Sequence, residues 1–234
     1  LLVGQLLKSS CLFLFKQHKV KKYILLTEVF IMTKDFFDVV NERTSIREYD
    51  SSAKLSKEEL TELLEATVKS PSAWNLQHWH FVVITDQDAK ERLLPIAYNQ
   101  KQITEAGAVV AVLGDLEANK NVDDVYNPLV EAGHMTEDVK NILSGQINGA
   151  YKNGAFARDA AFTNASLASM TLMLAAKAKG YDTCSMGGFN AQKFVEEFKI
   201  EDRYIPVMLI SVGKAAKEAH ASDRLPLDQV TTWI

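Results

Sequence analysis

The sequence predicts an α+β fold, and three observations lead there. One stretch, between Arg158 with Asp159 at its head and Lys177 with Lys179 at its tail, carries no charge; in it Ala161, Ala165 and Ser169 lie four apart, on one ridge of a buried helix. Residues 108–113 are a continuous apolar run of the kind expected of a buried strand, and residues 205–212 read as another buried strand. Helical patterns separate the strands without the strict alternation of a parallel sheet, so helices mix with at least four strands.

The long helix organises the rest. The acid near its start and the lysines at its end complement the helix dipole, and Gly180 supplies the left-handed residue that closes many helices. A helix that is apolar or small on nearly all faces needs cover on all of them, from its own domain or from a second copy of the chain. A membrane span is the rival reading. Thr163, Asn164, Ser166, Ser169 and Thr171 dilute the run, no other segment resembles a span, and mean hydropathy is slightly negative, so a soluble helix is expected.

In chain order, residues 34–43 read as a short amphipathic helix through Phe36, Phe37, Val39 and Val40. Ser56 with Glu59 makes a capping box for a helix whose Leu60, Leu63, Leu64 and Val68 share one face before Pro71. A loop rich in hydrogen-bonding side chains, residues 70–79, leads into a strand at 80–85, and Asp86 caps a helix over 88–97. Residues 115–155 are less apolar and read as two surface helices, an excursion from the core of the kind that covers sites. After the long helix, residues 182–189 read as a strand running into Gly187 and Gly188, residues 191–198 as a short helix, and the last strand opens with Pro206. The tail ends in Trp233 and Ile234 and is expected to dock, a partner subunit being one candidate surface.

At 234 residues, without repeats or low-complexity segments, the chain reads as one domain. A net charge of −4, from 26 basic and 30 acidic residues well mixed, offers no basic face for nucleic acid. Cys11 and Cys184 form neither a disulfide framework nor a metal spacing, which suits a reducing cytoplasm. Residues 1–31 differ in character, with Lys8, Lys16, Lys19, Lys21 and Lys22, short apolar runs and no Met until Met32. They are expected to lie upstream of the natural start as a weakly docked extension, leaving 32–234 as the folded domain. They show neither the long apolar core nor the small-residue cleavage site of a secretory signal.

Three features are candidates for binding chemistry. Arg43, Ser45 and Arg47 offer guanidinium forks and a hydroxyl to a phosphate dianion, which needs several fixed donors; the alternative is two solvated arginines paired with Glu42 and Glu48. Asn75 and Gln77 sit two apart, so in extended chain they point the same way and can hydrogen-bond a planar heterocycle or polyol; ordinary loop hydrogen bonding is the alternative. Gly187 and Gly188 either let backbone amides approach a flat or anionic ligand or make a tight turn. His78 and His80 would share a strand face, but no third ligand lies near in sequence and no metal site is expected. Cys184, in an apolar strand, reads as a small core residue. The sequence carries no nucleophile elbow or plausible triad, and no Gly-rich dinucleotide fingerprint of a Rossmann domain.

Taken together, Arg43-Thr-Ser-Ile-Arg47, Pro71-Ser-Ala-Trp-Asn-Leu-Gln-His-Trp79, Gly187-Gly-Phe189 and Arg224-Leu-Pro226 resemble, in order and separation, the FMN-dependent nitroreductase family. The resemblance runs from about Met32 to the C-terminus. It implies an α+β homodimer with a central mixed, mostly antiparallel sheet flanked by helices. It further implies FMN at the subunit interface, long central helices packed across the two-fold and exchanged C-terminal arms. By the same resemblance Arg43, Ser45 and Arg47 hold the phosphate and ribityl chain, and Arg224 is a further phosphate arginine. Ser72, Asn75 and Gln77 match the loop that reaches the flavin and ribityl chain, and the backbone of Gly187 and Gly188 matches the turn facing flavin N5. Tyr151 and Phe156, at the end of the covering excursion, are the implied substrate contacts. Two residues depart from the pattern. His78 stands where many members have proline, and Ser222 where some have a lysine, a role for which Lys214 is a candidate.

The implied activity is two-step hydride transfer, in which NAD(P)H, held by stacking as a co-substrate, reduces the flavin and leaves, and a nitroaromatic, quinone or similar acceptor takes its place. A flavin-binding storage or regulatory protein with little turnover is the alternative from another class. A fold relative using flavin for dehalogenation or flavin fragmentation is a third.

Overall fold

Strand β2 (Ala108–Asp115) is buried at every residue because both its faces are covered. In this computed structural model, which describes residues 35–234, β2 pairs antiparallel with β1 (Trp79–Ile84) and with β4 (Tyr204–Gly213). β4 in turn pairs antiparallel with β3 (Asp182–Met186), giving the order β1-β2-β4-β3. A lone parallel bridge from Ser45 to Thr183 makes the sheet mixed but mostly antiparallel. The extension expected at 1–31 lies outside the described residues.

Eight α-helices occur among the described residues: α1 (Phe36–Glu42), α2 (Lys57–Thr67), α3 (Gln87–Ile96), α4 (Gln102–Glu105), α5 (Val122–Glu131), α6 (Glu137–Tyr151), α7 (Gly154–Ala178) and α8 (Ala191–Phe198). The strand period of two divides the apolar run of β2 between two layers. Val110 and Val112 join Ile210 and Val212 of β4 in a core with α7 and α2, while Val109, Ala111 and Leu113 join Leu93 of α3 and Phe194 of α8. Central strand β4 tolerates Pro206, which has no N–H for the ladder, because the pairing register slips beside it, between Val112 and Leu113.

The caps legible in the sequence form. Ser56 Oγ accepts from Glu59 N at 3.1 Å while Glu59 Oε2 accepts from Ser56 N at 2.8 Å, and Asp86 accepts from Ala89 N at 2.9 Å. Helix α7 starts earlier than the uncharged run suggests, at Gly154 behind the Asn153 cap, and Gly180 closes it at φ 76°. The hydroxyls of Ser169 and Thr171 donate back to the carbonyls of Ala165 and Leu167, which is how the helix carries polar residues. Ala161, Ala165, Ala168 and Ala176 are fully buried. On the opposite side Thr163, Ser166, Leu167 and Met170 stay exposed at helical spacing. In the tail, Leu225, Leu227, Val230, Trp233 and Ile234 are all exposed within this one chain. The excursion carries its own core, Ala118, Val122, Tyr126 and Ile147 around Leu76. Among the described residues no helix is long and apolar enough to cross a membrane.

Candidate functional site

The segment after α1 is held to the sheet edge by Ile46 N, which donates to Thr183 O at 3.0 Å, and this fixes the arginines on either side. Arg43, Ser45 and Arg47 line a cavity of about 460 Å³, and Arg224 reaches the same cavity from the tail together with His220 and Ser222. Among the described residues no carboxylate lines it. The alternative pairing does not form for Arg47, since Glu48 pairs with Lys217 at 2.5 Å. Among the described residues none of the three arginines makes an ion pair with a carboxylate; Arg224 donates to Ser222 Oγ and Asp223 O at 3.4 and 3.0 Å. Three guanidinium groups around one cavity with no carboxylate among its described lining residues suit a multiply charged anion. Cys184 behind this edge is buried, and burial pushes its thiol up despite the positive charge of Arg47. Lys214 is engaged elsewhere: its ammonium donates to Gly180 O at 2.7 Å and lies 4.1 Å from the centre of the Tyr181 ring. It does not line the arginine cavity.

The amide-rich loop is not extended. Ala73–Asn75 form a 3-10 turn, and Trp74, Asn75 and Gln77 adopt left-handed φ values of 52°, 56° and 54°. Such conformations cost on the order of 1–3 kcal/mol each for residues with side chains, and persist where surrounding bonds over-determine them. Those bonds are present. Ala73 N donates to Asn164 Oδ1 on α7 at 2.8 Å, and Gln77 N donates to Ser72 Oγ at 3.0 Å. The carbonyls of Trp74, Leu76 and His78 are taken in turn by Tyr126 OH at 3.0 Å, Asn121 Nδ2 at 2.9 Å and Asp115 N at 3.1 Å. Asn75 and Gln77 thus line one cavity of about 430 Å³, but through the strained turn and not through the alternation of an extended chain.

Gly187 and Gly188 follow β3. Neither has a positive φ, and a Cβ added at either would meet nothing within 4 Å. The tight-turn alternative therefore gives no reason for glycine here, and the backbone borders open space that side chains would fill. Gln100 Nε2 donates to Gly188 O at 2.8 Å, and Asn190 N donates to Ile96 O at 2.9 Å, pinning the turn to the end of α3.

Tyr151 and Phe156 meet edge to face at 5.5 Å, Phe156 meets Trp74 at 6.0 Å, and Tyr151 stacks with His78 at 6.4 Å. The Tyr151 hydroxyl is buried without a partner, and burial first, then the Asp115 carboxylate, holds its pKa above the ordinary value. His78 is fully buried with both ring nitrogens unpartnered; burial lowers its pKa to about 4, against an opposing pull from Asp115. The strand face expected to pair His78 with His80 does not form, because β1 begins at Trp79 and the exposed His80 stacks on Tyr204 at 4.6 Å. Among the described residues no group of three or more His, Cys, Asp and Glu side chains is placed to hold a metal ion.

The nitroreductase family model matches residues 40–214. The chain belongs to the nitroreductase family. A Bacillus subtilis protein named "Putative NAD(P)H nitroreductase YodC" is 61% identical over 197 residues, 84% of this chain and 98% of that protein. The "CLA biosynthesis enone reductase" of Lactiplantibacillus plantarum is 33% identical over 209 residues, 87% of this chain and 96% of that one. A crystal structure from Exiguobacterium sibiricum, described as a "putative nitroreductase in complex with FMN", is similar with a TM-score of 0.80 and 40% identity, covering 86% of this chain and 98% of that one.

Within one chain of this nitroreductase the sequence-predicted features do not share a single cavity. The arginine cavity and the amide-loop cavity have no wall residue in common, and Ser72, Tyr151, Phe156, Gly187 and Gly188 line neither. The supports of the amide loop, Asn164, Asn121 and Tyr126, are not legible as such in the sequence. Asn164 did carry a signal, as an amide in the middle of a helix otherwise built of small and apolar residues. The other two sit in an excursion read only as cover.

Proposed function

We propose that this chain is an FMN-dependent NAD(P)H oxidoreductase of the nitroreductase type, working as a homodimer in the cytoplasm. The observation that carries the reading is the meeting of Arg43, Ser45, Arg47 and Arg224 around one cavity that, among the described residues, no carboxylate lines. That donor set fits a phosphate monoester, and the open space beside Gly187 and Gly188 fits the approach of a planar ring to backbone amides. FMN in the Exiguobacterium structure and NAD(P)H in the name of the YodC relative support the choice of cofactor and donor.

Bound FMN supplies the hydride chemistry, accepting from NAD(P)H and giving to a nitroaromatic, quinone or similar acceptor. The chain's own residues bind and orient. The arginines neutralise and fix the phosphate, with Ser45 adding a hydroxyl donor. Asn75 and Gln77 offer amide donors and acceptors to the ring or ribityl chain, held in place by Ser72. The backbone at Gly187 and Gly188 would lie against the ring. Trp74, Phe156 and the Tyr151 ring make an apolar wall on which a flat acceptor can stack, which excludes water. No nucleophile is needed, in keeping with a buried, protonated Cys184.

Two observations support a second copy that completes the site. The exposed stripe Thr163, Ser166, Leu167 and Met170 on α7 and the exposed apolar tail residues lack cover in one chain. The arginine and amide-loop cavities are separate, as they would be if each copy brought its loop to the other's arginines.

The decisive experiment is a visible absorbance spectrum of the purified protein, followed by anaerobic addition of NADH and then NADPH. Flavin bands that bleach within seconds and recover with an acceptor are expected. Bands that persist would replace the oxidoreductase by a flavin storage or regulatory protein. A colourless protein that takes up no added FMN would remove the cofactor assignment altogether.

A further inference from the structure

We propose that Arg203 is a positioning residue for the cofactor, acting through Asn121 on the strained loop that carries Asn75 and Gln77; the inference rests on the FMN reading above. Arg203 lies immediately before β4, remote in sequence from the loop, and its guanidinium makes three bonds. Nε and Nη2 donate to the two oxygens of Asp115 at 2.8 and 2.7 Å, and Nη2 donates again to Asn121 Oδ1 at 2.6 Å.

The third bond decides which way the Asn121 amide faces. An asparagine side chain has one acceptor end and one donor end, and only the donor end can serve the carbonyl of Leu76. Because Arg203 occupies Oδ1, Nδ2 is turned to Leu76 O at 2.9 Å. Leu76 is fully buried, so its carbonyl loses a donor if the amide flips. Asp115, whose side chain is 3% exposed and which is held by the same guanidinium, also gives its backbone N–H to His78 O. Arg203 thereby reaches both carbonyls that flank Gln77, one through the side chain of Asn121 and one through the strand end at Asp115. Gln77 has a left-handed φ of 54°, a conformation that depends on its neighbours being held. Trp74 is held separately, by Tyr126.

Two substitutions separate positioning from folding. Asn121→Asp keeps an acceptor for Arg203, and adds a negative charge at the N-terminal end of α5, where the helix dipole favours it. It removes the donor to Leu76 O. Arg203→Lys keeps a positive charge beside Asp115, but a point charge cannot span Asp115 and Asn121 as the planar fork does. The measurements are FMN affinity by flavin fluorescence, the shape of the bound flavin's visible bands, and the melting point of the apoprotein. Each variant is expected to weaken FMN binding about tenfold, the ratio that corresponds to one lost bond of about 1.4 kcal/mol. The flavin bands change shape, and the apoprotein melts within about 3 °C of the parent. The double variant binds no more weakly than the worse single one, because both break the same link.

Arg43→Ala serves as the control for the underlying reading. If Arg43→Ala leaves FMN affinity unchanged, the cofactor site itself is wrong. If Arg43→Ala weakens binding while Asn121→Asp and Arg203→Lys do not, or if their effects simply add, the relay is wrong and the site stands.

Discussion

Gly114 on β2 lies directly against Ala161 on α7: a Cβ built on Gly114 would sit 2.9 Å from both the Cβ and the carbonyl oxygen of Ala161. The sheet and the long helix touch there backbone to backbone, which is why the buried ridge of α7 is made of small residues. Gly114→Ala should destabilise the fold by about 1–3 kcal/mol through overpacking, measured by urea unfolding. Adding Ala161→Gly should recover only part of the loss, because backbone atoms of Ala161 account for two of the three nearest contacts. A neutral Gly114→Ala would show that the two layers can separate at no cost.

Arg43→Ala and Arg47→Ala should each weaken FMN binding, since each removes a charge-assisted contact worth about 1.5–3 kcal/mol, or roughly 10- to 150-fold in affinity. Glu48→Ala is the matching control: its carboxylate is paired with Lys217 and does not line the cavity, so affinity should stay at the parent value. Equal affinity across all three variants and the parent would remove the phosphate from this cavity.

The parts of the fold readable in the sequence are those set by neighbours along the chain. Ser56 and Glu59 cap α2 because three residues separate them, and β2 declares itself because a strand covered on both faces has no polar alternation. The chemical type of Arg43, Ser45 and Arg47 likewise survives without structure. The shape of the amide loop does not, because its left-handed residues are stabilised by Asn121, Tyr126 and Asn164, which bond to it from 45, 52 and 91 residues away. The fate of Lys214 was hidden for the same reason: its partner is the carbonyl of Gly180, 34 residues earlier, exposed by the end of α7. α4 has no sequence signature because Gln102–Glu105 is a single turn with no side-chain cap.

Gly188→Val should leave the apoprotein folded and lose the flavin. The added side chain starts in open space, with no protein atom within 4 Å of its Cβ, and the backbone there has no positive φ to be strained. A structural role would predict the opposite pattern, lower apoprotein stability with FMN still retained. The melting point of the apoprotein and the flavin-to-protein absorbance ratio, measured on one preparation, distinguish the two.

His78 should make the fold acid-sensitive. Its pKa is about 4 in the folded chain, lowered by burial from the ordinary value of 6.5. Between those two values the unfolded chain binds a proton that the folded chain does not, so stability falls as pH drops and is fully present above about pH 6.5. At one pKa unit per 1.36 kcal/mol, the loss by pH 4 is roughly 3 kcal/mol. Asp115 opposes this by favouring the imidazolium, but its carboxylate is already bonded twice by Arg203, and the other close group, Tyr151, carries no charge in this range. His78→Leu removes two unpartnered nitrogens as well as the titration, so it should match or exceed the parent at pH 7 and show a flatter profile between pH 6.5 and 4.5. Parallel urea-unfolding profiles for His78→Leu and the parent over that window would mean that the acid sensitivity arises elsewhere.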